Sequence, residues 1–94
     1  MNNIFQIIKE SIKGVLVNFK IEEDVIIIIS KLEKVDIQIN NLVKYKNHPS
    51  IEEIKNEILS SLNKFNYFKK IDFNEIGFLN IVFNLESLSK EVNN

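Results

Sequence analysis

Two short apolar segments near the end of the sequence, joined by a brief polar link, most constrain the fold. Residues 67–73 and 78–84 each suit a β-strand, and residues 74–77 have the length and the glycine of a hairpin turn. Alternation places three apolar side chains on one face of the second strand: Leu79, Ile81 and Phe83. The opposite face carries Phe78, Asn80, Val82 and Asn84. We therefore predict an antiparallel pair with one apolar face and one mixed face.

The mixed face suggests a binding function as well as a structural one. The ring of Phe78 can stack on a flat group while the carboxamide of Asn80 bonds to its edge, as happens when single-stranded RNA bases are read. A phenylalanine in a strand is more often a core residue, and a single asparagine is often plain surface polarity. From the residues alone, the structural explanation is favoured.

The first half of the chain predicts a helix, a strand and one ambiguous segment. Apolar residues recur at helical spacing over residues 2–18, with Gly14 as a candidate early end. The β-branched residues 25–29 have the composition of a buried strand. Residues 36–46 alternate like a strand at first and then follow helical spacing, and we interpret them as a helix.

A second helix is predicted over residues 50–63, because Ser50 and Glu53 form a capping-box pattern ahead of an apolar stripe. Leu85, Leu88 and Val92 have the spacing of a short terminal helix. The resulting order is α-β-α-α-β-β-α. Residues 1–94 are thus expected to form one α+β domain, with helices packed on a small, mainly antiparallel sheet.

Composition limits the classes of function. The absence of cysteine excludes disulfides, thiolate nucleophiles and cysteine-ligated zinc, and it fits the cytoplasm. The sequence contains neither a signal peptide pattern nor an apolar run long enough for a membrane span. Since the net charge is −1, with 12 lysines and no arginine, nucleic-acid contacts should be local and weak. A small basic cluster near the hairpin consists of Lys64, Lys69 and Lys70.

No set of residues has the pattern of a catalytic or metal site. His48 stands alone before Pro49, and Gly14 and Gly77 are too far apart for a phosphate-binding loop. Glutamates at residues 52, 53 and 57 suit the start of a helix, where they complement its dipole. We predict that this chain alone is not an enzyme and holds no metal.

Four segments, taken in order, resemble the N-terminal domain of arginyl-tRNA synthetase. They are residues 3–9, residues 35–40, Pro49 with the helix after it, and residues 77–81. The second family motif usually reads Gly-Asp-aromatic-x-x-Asn, matched here by Asp36 and Asn40, with Val35 in place of the glycine. The last usually reads Gly-Pro-Gly-Phe-Ile-Asn and is matched from Gly77 to Asn80, without the first Gly-Pro.

The resemblance implies an accessory domain that contacts the D-loop of tRNA, away from the site of aminoacylation. It carries the base-contacting roles over to Phe78 and Asn80, next to Gly77. Asp36 and Asn40 would be structural or close to the RNA, as would Lys69 and Lys70. ATP and arginine would bind the catalytic domain of such a synthetase, an ATP-dependent arginine–tRNA ligase, because none of its signatures occurs in this chain.

Three functions remain open at this point. The chain is either a tRNA-binding accessory domain, excised or free-standing, or a protein-interaction module that keeps the fold without binding RNA. Its partner in the second case would be a synthetase lacking this domain or another protein. An independent small enzyme is the least favoured.

Overall fold

The structure is a computed structural model that describes residues 3–31 and 33–86. Helix α1 spans Ile4–Asn18 and begins where the Oδ1 of Asn3 accepts a hydrogen bond from the backbone N–H of Gln6, at 2.8 Å. The helix continues through Gly14, which is exposed, so the predicted early end is wrong. Its buried stripe consists of Ile8, Ile12, Val15 and Leu16.

Within residues 3–31 and 33–86, four antiparallel strands form one sheet in the order β1-β2-β4-β3. They are β1 (Ile27–Ile29), β2 (Ile37–Ile39), β3 (Phe68–Phe73) and β4 (Leu79–Phe83). Helix α2 spans Ile51–Leu62, and it packs with α1 against a single face of the sheet. The core on that face joins the helix stripes to four strand residues with 0–1% exposure: Ile37, Ile39, Leu79 and Ile81. This arrangement confirms the α+β class and the small antiparallel sheet.

The segment 36–46 divides into two structures, which corrects its interpretation as a helix. Ile37 and Ile39 belong to β2, where alternation buries both of them between neighbouring strands. A 3-10 helix follows over Asn41–Tyr45 and contributes Leu42 to the core. The predicted order of helices and strands therefore holds when β2 is added ahead of the 3-10 helix, which takes the place of the second predicted helix.

The apolar run at residues 25–29 is a strand only at its end, and it is not buried as predicted. Val25 enters the core with 3% exposure, but Ile28 and Ile29 in β1 are 42% and 66% exposed. The reason is position, because in the described part of the chain β1 forms an edge of the sheet and has a neighbouring strand on one side only.

Two other local predictions concern the capping box of α2 and the terminal helix. Helix α2 forms where predicted, yet the capping-box bond is not made, because the Ser50 side chain has no cap hydrogen bond. The backbone N–H of Ser50 instead donates to Nδ1 of His48 at 3.0 Å. Of the predicted terminal helix, Leu85 and Glu86 are helical, and its remaining positions, from 87 onward, lie outside the described residues.

Candidate nucleic-acid interface

Strand β4 is central in the sheet and presents the two faces that its alternation predicts. Leu79 and Ile81 are fully buried beneath the helices, whereas Asn80 and Val82 are half-buried on the opposite face. Phe78 precedes the strand and is also half-buried. Among the described residues, the partly buried side chains that pack on the core include Phe68, Phe73 and Phe83 but not Phe78. The ordinary explanation of Phe78 as a core residue therefore does not apply to this fold.

The link before β4 is organised by Asn74, a residue that the sequence analysis did not single out. Its Oδ1 accepts hydrogen bonds from the backbone N–H groups of Ile76, Gly77 and Phe78 at 2.9–3.0 Å. Its backbone N–H also donates to the carbonyl of Phe78 at 2.9 Å. The signal was present in the sequence, since asparagine at the start of a tight turn commonly bonds the following backbone.

Gly77 takes a backbone conformation that suits glycine, with φ of 108°. A Cβ at this position would lie 3.5 Å from Cγ2 of Val43 in the 3-10 helix, which is ordinary contact distance. The need for glycine is therefore conformational rather than steric. A small apolar cavity of roughly 20 Å³ lies behind the link and is lined in part by Gly77 and Phe73.

A row of side chains crosses the face of the sheet that the helices leave open. Register places Ile28, Gln38, Asn80 and Asp72 side by side on the four strands. Nε2 of Gln38 donates a short hydrogen bond of 2.6 Å to Oδ1 of Asn80. Gln38 was not predicted as a site residue, because Asn80, its hydrogen-bond partner, is 42 residues away in the sequence.

Asp36 and Asn40 flank β2 at its two ends. The Oδ2 of Asp36 accepts a hydrogen bond of 2.7 Å from the backbone N–H of Phe83, which extends the pairing between β2 and β4. Asn40 precedes the 3-10 helix without a side-chain cap bond, and its Oδ1 is buried with no hydrogen-bond partner among the described residues. Asp36 thus braces β4, while Asn40 directly follows Ile39, the β2 residue that pairs with Leu79.

The predicted lysines are exposed and occupy different places. Lys70 faces the open side of the sheet opposite Val82, and its Nζ lies 3.5 Å from Oδ2 of Asp72. Lys69 occupies the irregularity between Phe68 and Lys70 in the pairing with β4. Lys64 lines a polar groove between α1 and α2, so it does not share the face of Lys70.

An ion-pair cluster holds the 3-10 helix to the segment after α1. The carboxylate of Glu23 is bound by the Lys44 ammonium and accepts a hydrogen bond from the Tyr45 hydroxyl at 3.0 Å. The bond to Lys44, followed by that to Tyr45, lowers the pKa of Glu23 below its ordinary value. Burial, together with the bond to Glu23, raises the pKa of Tyr45. The cluster therefore steadies the 3-10 helix, whose Val43 faces Gly77.

The described residues contain neither a group of histidine, cysteine or carboxylate side chains that could hold a metal ion nor a helix long and apolar enough to cross a membrane. Hydrogen-bonded polar side chains, those of Asn74 and Asn80, lie instead on either side of Phe78 at the start of β4.

Comparison with known proteins gives one consistent result. Residues 2–83 match the family model described as the arginyl tRNA synthetase N terminal domain. The chain is also 31% identical to the arginine–tRNA ligases of two strains of Buchnera aphidicola subsp. Acyrthosiphon pisum, 5A and APS. Each alignment covers 96% of this chain and 16% of the ligase, so the chain spans about a sixth of these relatives. The chain therefore belongs to the arginyl-tRNA synthetase N-terminal domain family.

Proposed function

We propose that this chain is a tRNA-binding accessory domain that supports arginine–tRNA ligation without catalysing it. Phe78 and Asn80 contact a base of the tRNA D-loop, and Gly77 sets the turn from which they project. The role is exercised in the cytoplasm, as the composition suggests. ATP and arginine bind the remainder of a synthetase, to which this chain corresponds over only 16% of the length.

The observation that carries the proposal is the placement of Phe78. Phe78 is half-buried but is not among the side chains that pack on the core, and it precedes Asn80 by two residues. Alternation gives the two residues the same side of the chain, at a spacing of about 7 Å along an extended strand. A base stacked on the ring can then meet the carboxamide with its edge.

The backbone around this pair is held in advance. Asn74 fixes the N–H and the carbonyl of Phe78, and Gln38 holds the amide of Asn80. Little conformational entropy remains to be lost when RNA binds, which favours recognition by a small surface. The nearly neutral charge still predicts weak binding in isolation, and tethering to a synthetase would raise the effective concentration.

Affinity measurements on variants test the proposal. The chain is titrated with a transcript of an arginine-accepting tRNA at low ionic strength, and Phe78→Ala and Asn80→Ala are compared with the parent. Loss of one base–aromatic stack, worth ~1–3 kcal/mol, should weaken binding by Phe78→Ala roughly 5- to 150-fold. Ile76→Ala is the matched control, since Ile76 is an apolar residue of the same link with 57% exposure.

Equal affinities of the parent and both site variants would contradict the proposal. A loss as large for Ile76→Ala as for Phe78→Ala would also contradict it, because a general effect on the link would then replace stacking.

The exposed edge strand supports a second candidate, binding of a synthetase that lacks this domain. Ile26, just before β1, and Ile28 and Ile29 within it are 42–66% exposed. A strand edge that is unpaired among the described residues and carries apolar side chains suits a polypeptide partner. The test mixes the chain with a Buchnera arginine–tRNA ligase from which the matching segment has been removed. Binding that is abolished by Ile26→Lys with Ile29→Lys, without any effect of Phe78→Ala, would favour this candidate.

A further inference from the structure

The amide of Asn80 is held in one orientation by its neighbour on β2. Gln38 and Asn80 are directly paired in the register, and Nε2 of Gln38 donates to Oδ1 of Asn80 at 2.6 Å. The accepting oxygen and the donating nitrogen of a carboxamide lie in one plane, on opposite sides of the Cβ–Cγ bond axis. With the oxygen bound toward β2, the Nδ2 group is directed away from β2.

Among the described residues, only Gln38 forms a side-chain hydrogen bond with Asn80, so Gln38 sets the orientation of its amide. Asp72 lies opposite Asn80 on β3, and its carboxylate pairs with Lys70 at 3.5 Å. On the far side of Gln38 the row ends at Ile28, which offers no hydrogen-bonding side chain. Among the described residues, Nδ2 of Asn80 has no hydrogen-bond partner, so its two N–H groups are available to a ligand.

We propose that Gln38 is a positioning residue, which fixes Asn80 with its NH₂ group toward the bound base. The base is then contacted at an acceptor, either a carbonyl oxygen or an unprotonated ring nitrogen. This inference rests on the proposed binding of tRNA and adds the polarity of the contact. It also gives Gln38 a role that does not require it to touch the RNA.

Gln38→Glu tests the polarity, because glutamate has nearly the same shape but its carboxylate only accepts hydrogen bonds. Asn80 must then turn over to donate to Glu at position 38, and its oxygen would face the base. Affinity for the arginine-accepting tRNA transcript should fall at least about fivefold, the value of one lost hydrogen bond. In the RNA-free chain, the side-chain NH₂ resonances of Asn80 should shift as they gain a carboxylate partner.

Two further variants separate positioning from a structural effect. Gln38→Met keeps the volume and removes the bond, so it should weaken binding less than Gln38→Glu does. In the Asn80→Ala background, Gln38→Glu should cause only the smaller loss that its added negative charge brings, because the effect on the amide is then missing. Melting temperatures and dispersed NMR spectra establish which variants are folded.

The possible results distinguish the two proposals. If the parent binds tRNA, and Gln38→Glu binds it equally well with unchanged Asn80 resonances, the positioning role alone is overturned. An equal loss in the Asn80→Ala background would overturn it as well. If the parent binds no tRNA, the proposed function fails, and the contact proposed for Asn80 fails with it.

Discussion

The two glycines of this chain are expected to respond to the same substitution with opposite signs. Gly77 has φ of 108°, a conformation that alanine adopts only under strain, and such strain costs ~1–3 kcal/mol. Gly14 is exposed in the interior of α1, and a Cβ there meets nothing within 4 Å. Replacing a helical glycine by alanine stabilises by ~0.5–1 kcal/mol. Gly77→Ala and Gly14→Ala should therefore differ by at least ~1.5 kcal/mol in the free energy of unfolding.

Urea denaturation followed by circular dichroism measures this difference, and thermal melting checks it at ~4–8 °C for each kcal/mol. A double variant identifies the cause of the loss at Gly77. A Cβ at residue 77 would lie 3.5 Å from Val43, so a steric cause would be relieved by Val43→Ala. Conformational strain would not be relieved, and the two changes should add. Rescue of Gly77→Ala by Val43→Ala, or stabilisation by Gly77→Ala itself, would refute the reasoning.

Three further predictions concern the link, the ion-pair cluster and the lysines. Asn74→Ala should destabilise by about 1–3 kcal/mol in urea denaturation, since three N–H groups lose their acceptor, whereas Asn74→Asp keeps an accepting oxygen and should cost less. Because its pKa is lowered from 4.5, Glu23 stabilises the fold at neutral pH, so the melting temperature of Glu23→Gln should fall below that of the parent there. That difference should close as the pH drops below 4.5, and a constant difference would contradict the cluster. For tRNA binding, Lys69→Gln and Lys70→Gln should each reduce the salt slope by about 1 if both lysines contact phosphate, and an unchanged slope would exclude that contact.

Local patterns in the sequence were sufficient for most of the fold. Helical spacing predicted α1 and α2, and alternation around residues 74–77 predicted the hairpin of β3 and β4 with its two faces. These elements depend on residues close in sequence, so their physical causes are visible in short windows. The segment 36–46 was misjudged because it is brief and changes period partway. Its strand is stabilised by pairing with β1 and β4, which no local pattern reports.

The candidate site was predicted in part for the same reason. The sequence placed Phe78 and Asn80 on one face, and the structure adds that Phe78 lies outside the core packing. The sequence could not indicate Gln38, since the bond between Gln38 and Asn80 depends on the register of two strands that are distant in sequence. Asn74 could be predicted from local turn chemistry, because asparagine at the start of a tight turn commonly accepts hydrogen bonds from the following backbone.

The most direct test of the central claim is a map of tRNA contacts on the chain by two-dimensional NMR. The ¹⁵N-labelled chain is titrated with the arginine-accepting tRNA transcript, and backbone and side-chain amide shifts are followed. The account predicts that the largest changes occur at Phe78 and at the backbone and Nδ2 groups of Asn80, with little change along β1 or in the groove between the helices. Changes confined to β1, or no changes near Phe78 at saturating tRNA, would contradict it.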